Sequence, residues 1–129
     1  MNKPEAGQVY RAFREDIYDP KEKYHLYLAD DIVFLINSDP NLFDFDICLE
    51  ASDAEILTKK CYLQIKQLYR YDCSYPVIRI SEMSTRILRT LCAQLKDKNI
   101  TKKIPRIYIN RAIGIIELCI SNRQEQDLK

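Results

Sequence analysis

Glycine, histidine and long apolar runs are scarce in this sequence, and each scarcity excludes a class of function. Only two glycines are present, which excludes a glycine-rich loop that cradles phosphates. One histidine and five dispersed cysteines do not supply the closely spaced ligand pairs that a zinc site requires. The aspartates match no calcium-loop spacing. We therefore expect no metal site and no cofactor.

Membrane and export signals are also missing. The longest clean apolar run, Ile32 to Ile36, is far too short to cross a bilayer. The segment 1–8, MNKPEAGQ, has no apolar stretch, so we expect no signal peptide and no membrane partner. The cysteines are odd in number and mostly lie in apolar runs, which predicts reduced, buried thiols in a cytoplasmic protein. A disulfide framework is the weaker alternative.

What is present describes one mixed domain. Charged residues make up 30% of the chain but nearly cancel, to a net charge of +1. Net charge therefore argues neither for nor against a polyanionic partner, and only the distribution of charge is informative. A chain of 129 residues is long enough to bury a core as a single domain, residues 1–129. We place a barrel at about 7–75 and a helical region at about 81–120.

Alternating apolar and polar residues predict a series of short strands. A charged loop, Glu15 to Lys23, follows the first strand, and a polar loop, Ser38 to Asp44, follows the third. The predicted strands are Gln8 to Arg14, Tyr24 to Leu28, Ile32 to Asn37, Phe45 to Glu50 and Cys61 to Tyr71.

Helical patterns follow the strands. Ser52 and Glu55 have the spacing of a capping box and predict a helical turn. The clearest helix is predicted over Glu82 to Asp97, with Ser81 as its N-cap and Asn99 as its end. The segment 104–120 suits either a strand or a helix, and we favour a second helix. Residues 122–129 are expected to fray.

Strands first and helices last are typical of an α+β fold. We predict a small antiparallel SH3-like β-barrel followed by one or two C-terminal helices.

Four segments resemble those of a known family in their order and in their pattern of apolar, polar and basic residues. They are GQVYRAF (7–13), KEKYHLYL (21–28), LTKKCYLQIKQLYRYD (57–72) and ISEMSTRILRTLCAQL (80–95). This succession resembles the MazF/PemK (Kid) group of SH3-like barrels over about residues 7 to 97. The resemblance implies a homodimeric barrel acting as a metal-free endoribonuclease toxin on RNA, neutralised by a partner antitoxin.

The chain departs from the family at two motifs. Family toxins usually carry an arginine-proline pair where the second strand begins, and a threonine after the third strand. Here the corresponding residues are Lys23-Tyr24-His25 and Asn37-Ser38. A cation and a hydroxyl are therefore kept while the arginine is lost. This favours the alternative of a catalytically inactive barrel that binds protein or nucleic acid as a regulatory or defence-system module.

Metal-free RNA cleavage needs a base, an acid and a group that stabilises the crowded phosphate. We predict His25, Lys23 and Ser38 as the catalytic residues. His25 can act as base or acid because the pKa of a histidine lies near neutrality. Lys23 could hold the phosphate, and Ser38 could donate a hydrogen bond to a phosphoryl oxygen. If strands two and three pair as a hairpin, His25 and the Asn37-Ser38 turn lie at the same end of the sheet. His25 also has a plainer interpretation as a sheet residue.

We predict that the bound RNA is held by basic and polar side chains around this end of the sheet. The predicted substrate-binding residues are Arg11, Arg14, Asn37 and Lys66. Lys66 lies in YLQIKQLYRY, whose tyrosines suit either base stacking or packing within the sheet. A rival hypothesis, a metal-dependent nuclease using Asp46 and Lys66, lacks the usual acidic residue where Gln64 stands.

Overall fold

The computed structural model describes residues 3–39 and 46–127. These residues form six strands, a 3₁₀ turn and two α-helices. In chain order the elements are β1 (Gln8–Arg14), β2 (Lys21–Ala29), β3 (Ile32–Asn37), β4 (Ile47–Leu49), the 3₁₀ turn (Ala51–Asp53), β5 (Cys61–Leu63), β6 (Arg79–Glu82), α1 (Thr85–Leu95) and α2 (Arg106–Asp127).

The strands form one curled antiparallel sheet in the order β4-β5-β3-β2-β1-β6. Consecutive hairpins join β1, β2 and β3, and they place Tyr10 beside His25 and His25 beside Leu35. The result is a half-barrel followed by two helices. It confirms the predicted α+β fold class and is consistent with a small SH3-like barrel.

The main core lies between the sheet and the two helices. Alternate residues of β2 and β3 point toward it, among them Leu26, Phe34 and Ile36. They pack with a helical stripe at three- and four-residue spacing, as expected for an amphipathic helix. The helical members of this core are Ile87, Leu88, Leu91, Cys92, Leu95, Ile109, Ala112 and Ile116.

A second, smaller core covers the opposite face of the sheet. Tyr10, Tyr27 and Val33 point toward this side and are buried. The chain between β5 and β6 returns over them and contributes Tyr69, Tyr71 and Val77, and β6 contributes Ile80. Because both faces of the sheet are covered, residues 32–36 of β3 are all buried and read as a continuous apolar run.

Three strand predictions need correction. β2 begins at Lys21, three residues earlier than predicted. The fifth strand ends at Leu63, and the chain returns to the sheet only for one isolated bridge between Val33 and Tyr69. β6 was not predicted, because its short, half-exposed pattern acquires strand pairing only from β1, about seventy residues earlier. Phe45 and the predicted loop residues 40–44 lie outside the described residues.

The helices also differ from prediction at their ends. Ser84, not Ser81, caps α1, with its Oγ accepting a hydrogen bond from the N–H of Ile87 at 3.3 Å. α1 ends at Leu95. The favoured helical interpretation of 104–120 is confirmed by α2. The frayed end predicted from residue 122 is wrong, because α2 continues to Asp127 while Arg123 binds Glu82 at 2.8 Å.

A short helical turn occurs near Ser52, as predicted, but different residues cap it. Glu50 and Asp53 form the capping box of this 3₁₀ turn. Ser52 and Glu55 were the predicted pair, and both are exposed. Asp53 takes the capping position because its carboxylate is buried and also binds Ser84 and Arg86 at the start of α1.

All five cysteines are free thiols. Cys61 and Cys92 are buried, whereas Cys73 is exposed, contrary to the prediction of uniformly buried thiols. In the described ranges no helix is long and apolar enough to span a membrane. No group of three or more His, Cys, Asp or Glu side chains there is placed to hold a metal ion.

Candidate functional site

Two of the predicted site residues meet where β2 begins and β3 ends. The Lys23 Nζ donates a hydrogen bond to Asn37 Oδ1 at 2.8 Å. The amide nitrogen of Asn37 in turn donates to Gln64 Oε1 at 3.2 Å. The antiparallel pairing of β2 with β3 brings these residues together, because Tyr24 pairs with Ile36 and their neighbours face each other. The predicted hairpin is therefore present.

A groove of about 330 Å³ opens beside this pair and is lined by basic side chains from three parts of the chain. We call it the basic groove and define it by Arg11, Lys21, Lys23, Tyr24, Asn37, Ser38 and Lys59. Arg11, Tyr24 and Ile36 form a row across three adjacent strands. Lys59 enters from the loop that precedes β5.

Part of the positive charge in the basic groove is already compensated. Arg11 binds Glu22 at 2.8 Å, and its guanidinium lies 5.7 Å from the centre of the Tyr24 ring. Lys21 lies 3.6 Å from Asp19. Lys59 forms no ion pair within the described part of the chain. Lys23 contacts the neutral amide of Asn37 and forms no ion pair among the described residues, so its charge is not compensated in this way.

The environment of Lys23 makes it easier to deprotonate than an ordinary lysine. Partial burial lowers the pKa of Lys23, and the nearby Lys21 ammonium lowers it further. The Asp19 and Asp39 carboxylates raise this pKa, but by less than burial and Lys21 lower it. Lys23 is therefore both a cation positioned for a phosphate and a candidate for proton transfer.

A second depression of about 440 Å³ lies on the other side of the Lys23–Asn37 pair. Both residues line both depressions. Its walls include Tyr18, which is fully exposed, and Tyr69. The two depressions therefore share this pair and Lys21, while the second also contains the Asp16 and Asp19 carboxylates.

His25 lies outside the basic groove, beneath the chain that covers the second core. Its side chain is 1% exposed and stacks on Tyr10, with ring centres 4.5 Å apart. His25 Nε2 accepts a hydrogen bond from Arg14 Nε at 3.0 Å. Its Nδ1 is buried and has no hydrogen-bond partner among the described residues. This geometry favours the interpretation of His25 as a sheet residue.

The protonation state of His25 follows from that environment. Burial and then the adjacent Arg14 guanidinium lower the pKa of His25 to about 3. The imidazole is therefore neutral at pH 7. For His25 to act on RNA, the covering segment would have to open, and its catalytic role stays a prediction.

Two predicted binding residues also lie away from the basic groove. Arg14 is 3% exposed and is used internally, with bonds to His25, to Asp16 at 3.0 Å and to the Arg70 carbonyl at 2.5 Å. Lys66 lines a different cavity, of about 430 Å³, with Arg70 and the start of α2. The predicted set therefore divides, and only Arg11, Lys23, Asn37 and Ser38 share the groove.

Sequence reasoning missed Lys59, Lys21 and Tyr24 as groove residues. The Thr58-Lys59-Lys60 stretch lies between the predicted helical turn and the predicted fifth strand, and its local sequence indicates no site. Its position became informative only through pairing, because β5 pairs with β3 and sets Tyr62 beside Asn37. The available signal was the pair Lys59-Lys60 directly before β5, because β5 neighbours the polar end of β3 at Asn37.

Comparisons with known protein families, curated proteins and solved structures found no match for this chain. The resemblance to the MazF/PemK group therefore depends only on the four segments quoted above, and the family assignment stays a prediction.

Proposed function

We propose that this chain binds single-stranded RNA in the basic groove. The observation that carries the proposal is the convergence of Arg11, Lys21, Lys23 and Lys59 on one cavity. These cations come from three segments that only the fold brings together. Lysine and arginine neutralise phosphates and release their counterions, which is the main source of affinity for nucleic acids.

Polar and aromatic groups around the cations favour a single strand. Asn37 and Ser38 offer hydrogen-bonding groups in the same groove, and the Tyr24 ring lies against the Arg11 guanidinium. Tyr18 and Tyr69 line the neighbouring depression and present rings on which unpaired bases can stack. Two depressions that share Lys21, Lys23 and Asn37 suit a single strand with a phosphate at the shared cations better than they suit a rigid duplex.

Substitution of Lys23 tests the binding proposal. We expect Lys23→Ala to weaken binding of a mixed-sequence RNA oligonucleotide about tenfold, which corresponds to about 1.4 kcal/mol. The slope of log affinity against log salt should also fall by about 0.7, because one phosphate contact is lost. Fluorescence anisotropy over a salt series measures both quantities.

Lys98→Ala is the matched control, since Lys98 is exposed in the loop after α1 and does not line the groove. This variant removes the same charge as Lys23→Ala, but at a position outside the groove. If the groove is the binding site, Lys98→Ala should therefore leave the affinity for RNA nearly unchanged. Equal losses for the two variants would mean that binding follows total charge, and would reject the groove as the binding site.

Metal-free RNA cleavage is a second candidate function, and the environment of Lys23 favours it. Because burial and Lys21 lower its pKa, Lys23 is more readily available as a neutral base for a 2′-hydroxyl than an ordinary lysine is. Asn37 and Ser38 lie in the same groove to contact a phosphoryl oxygen. The reaction would be the one that the resemblance implies for a toxin.

Incubation of a mixed-sequence RNA with the protein and EDTA tests this candidate. We expect the wild type to cut, and Lys23→Ala and Ser38→Ala to lose the activity while remaining folded. His25→Ala distinguishes His25 from Lys23 as the general base. If Lys23 is the base and His25 is only structural, His25→Ala should lower the stability of the protein but leave RNA cleavage by the folded fraction intact. Intact RNA with the wild type would reject cleavage and leave the binding proposal to its own test.

A further inference from the structure

A cavity of about 430 Å³ lies between the chain that follows β5 and the start of α2. We call it the α2 cavity and define it by Lys66, Leu68, Tyr69, Arg70, Lys103 and Tyr108. Its volume lies within the range of sites that hold small molecules, about 300–1,000 Å³. The α2 cavity and the basic groove have no lining residue in common. It is therefore a separate candidate site.

The charged residues that line the α2 cavity are mostly cations. Lys66, Arg70 and Lys103 come from two segments of the chain that only the fold brings together. Asp31 also lines the cavity, but Arg111 compensates its charge at 2.6 Å. Arg70 and Lys103 form no ion pair within the residues that the structure describes. The cavity therefore favours an anion, and guanidinium and ammonium groups are typical partners of phosphate.

The other walls of the α2 cavity are apolar and aromatic. Leu68 and Ile104 contribute aliphatic surface, and two tyrosines, Tyr69 and Tyr108, contribute rings. Both tyrosines are anchored, because the backbone of Tyr69 pairs with Val33 and the side chain of Tyr108 packs against the main core. Tyrosine rings stack on planar bases. An inorganic anion would gain nothing from these walls, whereas a phosphorylated molecule with a planar ring would use both parts of the cavity.

We propose that the α2 cavity binds a nucleoside monophosphate, with the phosphate at the cations and the base against the tyrosine rings. Such a ligand joins one phosphate to one planar base, which is the combination that the walls offer. Gln67 and Tyr69 line both the α2 cavity and the depression beside the basic groove. The nucleotide can therefore enter as a free molecule or as the end of an RNA strand. The proposal does not rest on RNA binding in the basic groove.

Substitution of Arg70 tests the site. We expect adenosine monophosphate (AMP) to bind the wild type in isothermal titration calorimetry. Arg70→Ala should weaken this binding about tenfold, because a charge-assisted contact to the phosphate is lost. The variant should keep its fold, since the Arg70 side chain is exposed and the bond from Arg14 uses the Arg70 carbonyl.

Arg89→Ala is the matched control for Arg70→Ala. Arg89 is exposed on α1 and does not line the α2 cavity, so this variant should keep the affinity for AMP. A wild type that does not bind AMP at millimolar concentration would overturn the proposal. Equal losses in the two variants would also overturn it, because binding would then follow total charge.

A second comparison tests recognition of the base. Ribose 5-phosphate carries the phosphate without a base, so the wild type should bind it about tenfold more weakly than AMP. Tyr108→Leu keeps an apolar side chain against the main core but removes the ring. This variant should bind AMP more weakly and ribose 5-phosphate as the wild type does. Equal affinities of the wild type for the two ligands would reject a nucleoside as the ligand.

Lys23→Ala separates the α2 cavity from the basic groove. This variant should keep its full affinity for AMP, because Lys23 does not line the α2 cavity. Loss of AMP binding in Lys23→Ala would place the nucleotide in the basic groove and overturn the proposal. A saturating RNA oligonucleotide then identifies the source of the nucleotide. Unchanged AMP binding would support a free nucleotide, and displacement of AMP would support the end of a bound RNA strand in the same cavity.

Discussion

Asp53→Ala is expected to lower the free energy of unfolding by about 3 kcal/mol, because it removes a buried carboxylate that joins two elements. Asp53 is 4% exposed. Its Oδ1 accepts from Ser84 Oγ at 2.7 Å, and its Oδ2 accepts from the Glu50 N–H at 2.8 Å and from Arg86 at 2.5 Å. The carboxylate thus ties the 3₁₀ turn to the N-terminus of α1.

The size of this effect comes mainly from the donors left behind. The Glu50 N–H and the Ser84 hydroxyl would lose their acceptor, at about 1–3 kcal/mol for each group that stays buried. Arg86 contributes less, because its side chain is 59% exposed and can turn to solvent. Burial alone would raise the pKa of Asp53, but these hydrogen bonds together lower it, so the carboxylate is charged at pH 7.

Urea denaturation followed by circular dichroism measures the loss. Glu55→Ala is the matched control, since Glu55 is an exposed carboxylate two residues away and should change stability by less than about 0.5 kcal/mol. An Asp53→Ala variant as stable as the control would mean that the turn and α1 are not coupled through this side chain.

Acidification from pH 7 to pH 5 should destabilise the protein by about 2 kcal/mol through His25 alone. Burial and Arg14 lower the pKa of His25 to about 3 in the folded chain. The unfolded chain keeps the ordinary value of about 6.5. Between these values the unfolded state binds a proton that the folded state does not, so stability is complete above pH 6.5 and falls as the pH decreases.

His25→Gln isolates this contribution, because glutamine does not titrate and its amide oxygen can still accept from Arg14. His25 is the only histidine, so no other imidazole titrates in this interval. The free energy of unfolding of both proteins should be measured in urea at several pH values. The wild type should lose about 2 kcal/mol more than the variant between pH 7 and pH 5. Parallel profiles would show that the imidazole is solvated and accessible to substrate.

Local patterns predicted the regular elements well where each element carried its own signal. The bounds of β1 and β3 agree with prediction, because alternation in QVYRAFR and the apolar run IVFLI are visible within a few residues. α1 and α2 were also predicted as helices. Errors of several residues occurred at ends such as Ser84, where the choice of cap depends on Asp53 from another loop.

The candidate site was predicted only in part, for a reason that His25 and Lys59 illustrate. Alternation along β2 indicates that Lys23 and His25 share one side of a strand, but not what covers that side. Arg14 and Tyr10 contact the buried His25, while Lys23 lies beside Asn37 and lines the groove. Lys59 joined the groove only because β5 pairs with β3.

The order of strands and helices, the scarcity of metal ligands and the spread of charge can be predicted from the amino-acid sequence, since they depend on neighbouring residues. The fold is needed to show which of the basic and titratable side chains are buried and which converge. Burial and convergence depend on segments that lie thirty to seventy residues apart, such as β6 against β1 and residues 69–80 over the second core. Such contacts form through packing of the whole chain, and no local pattern records them.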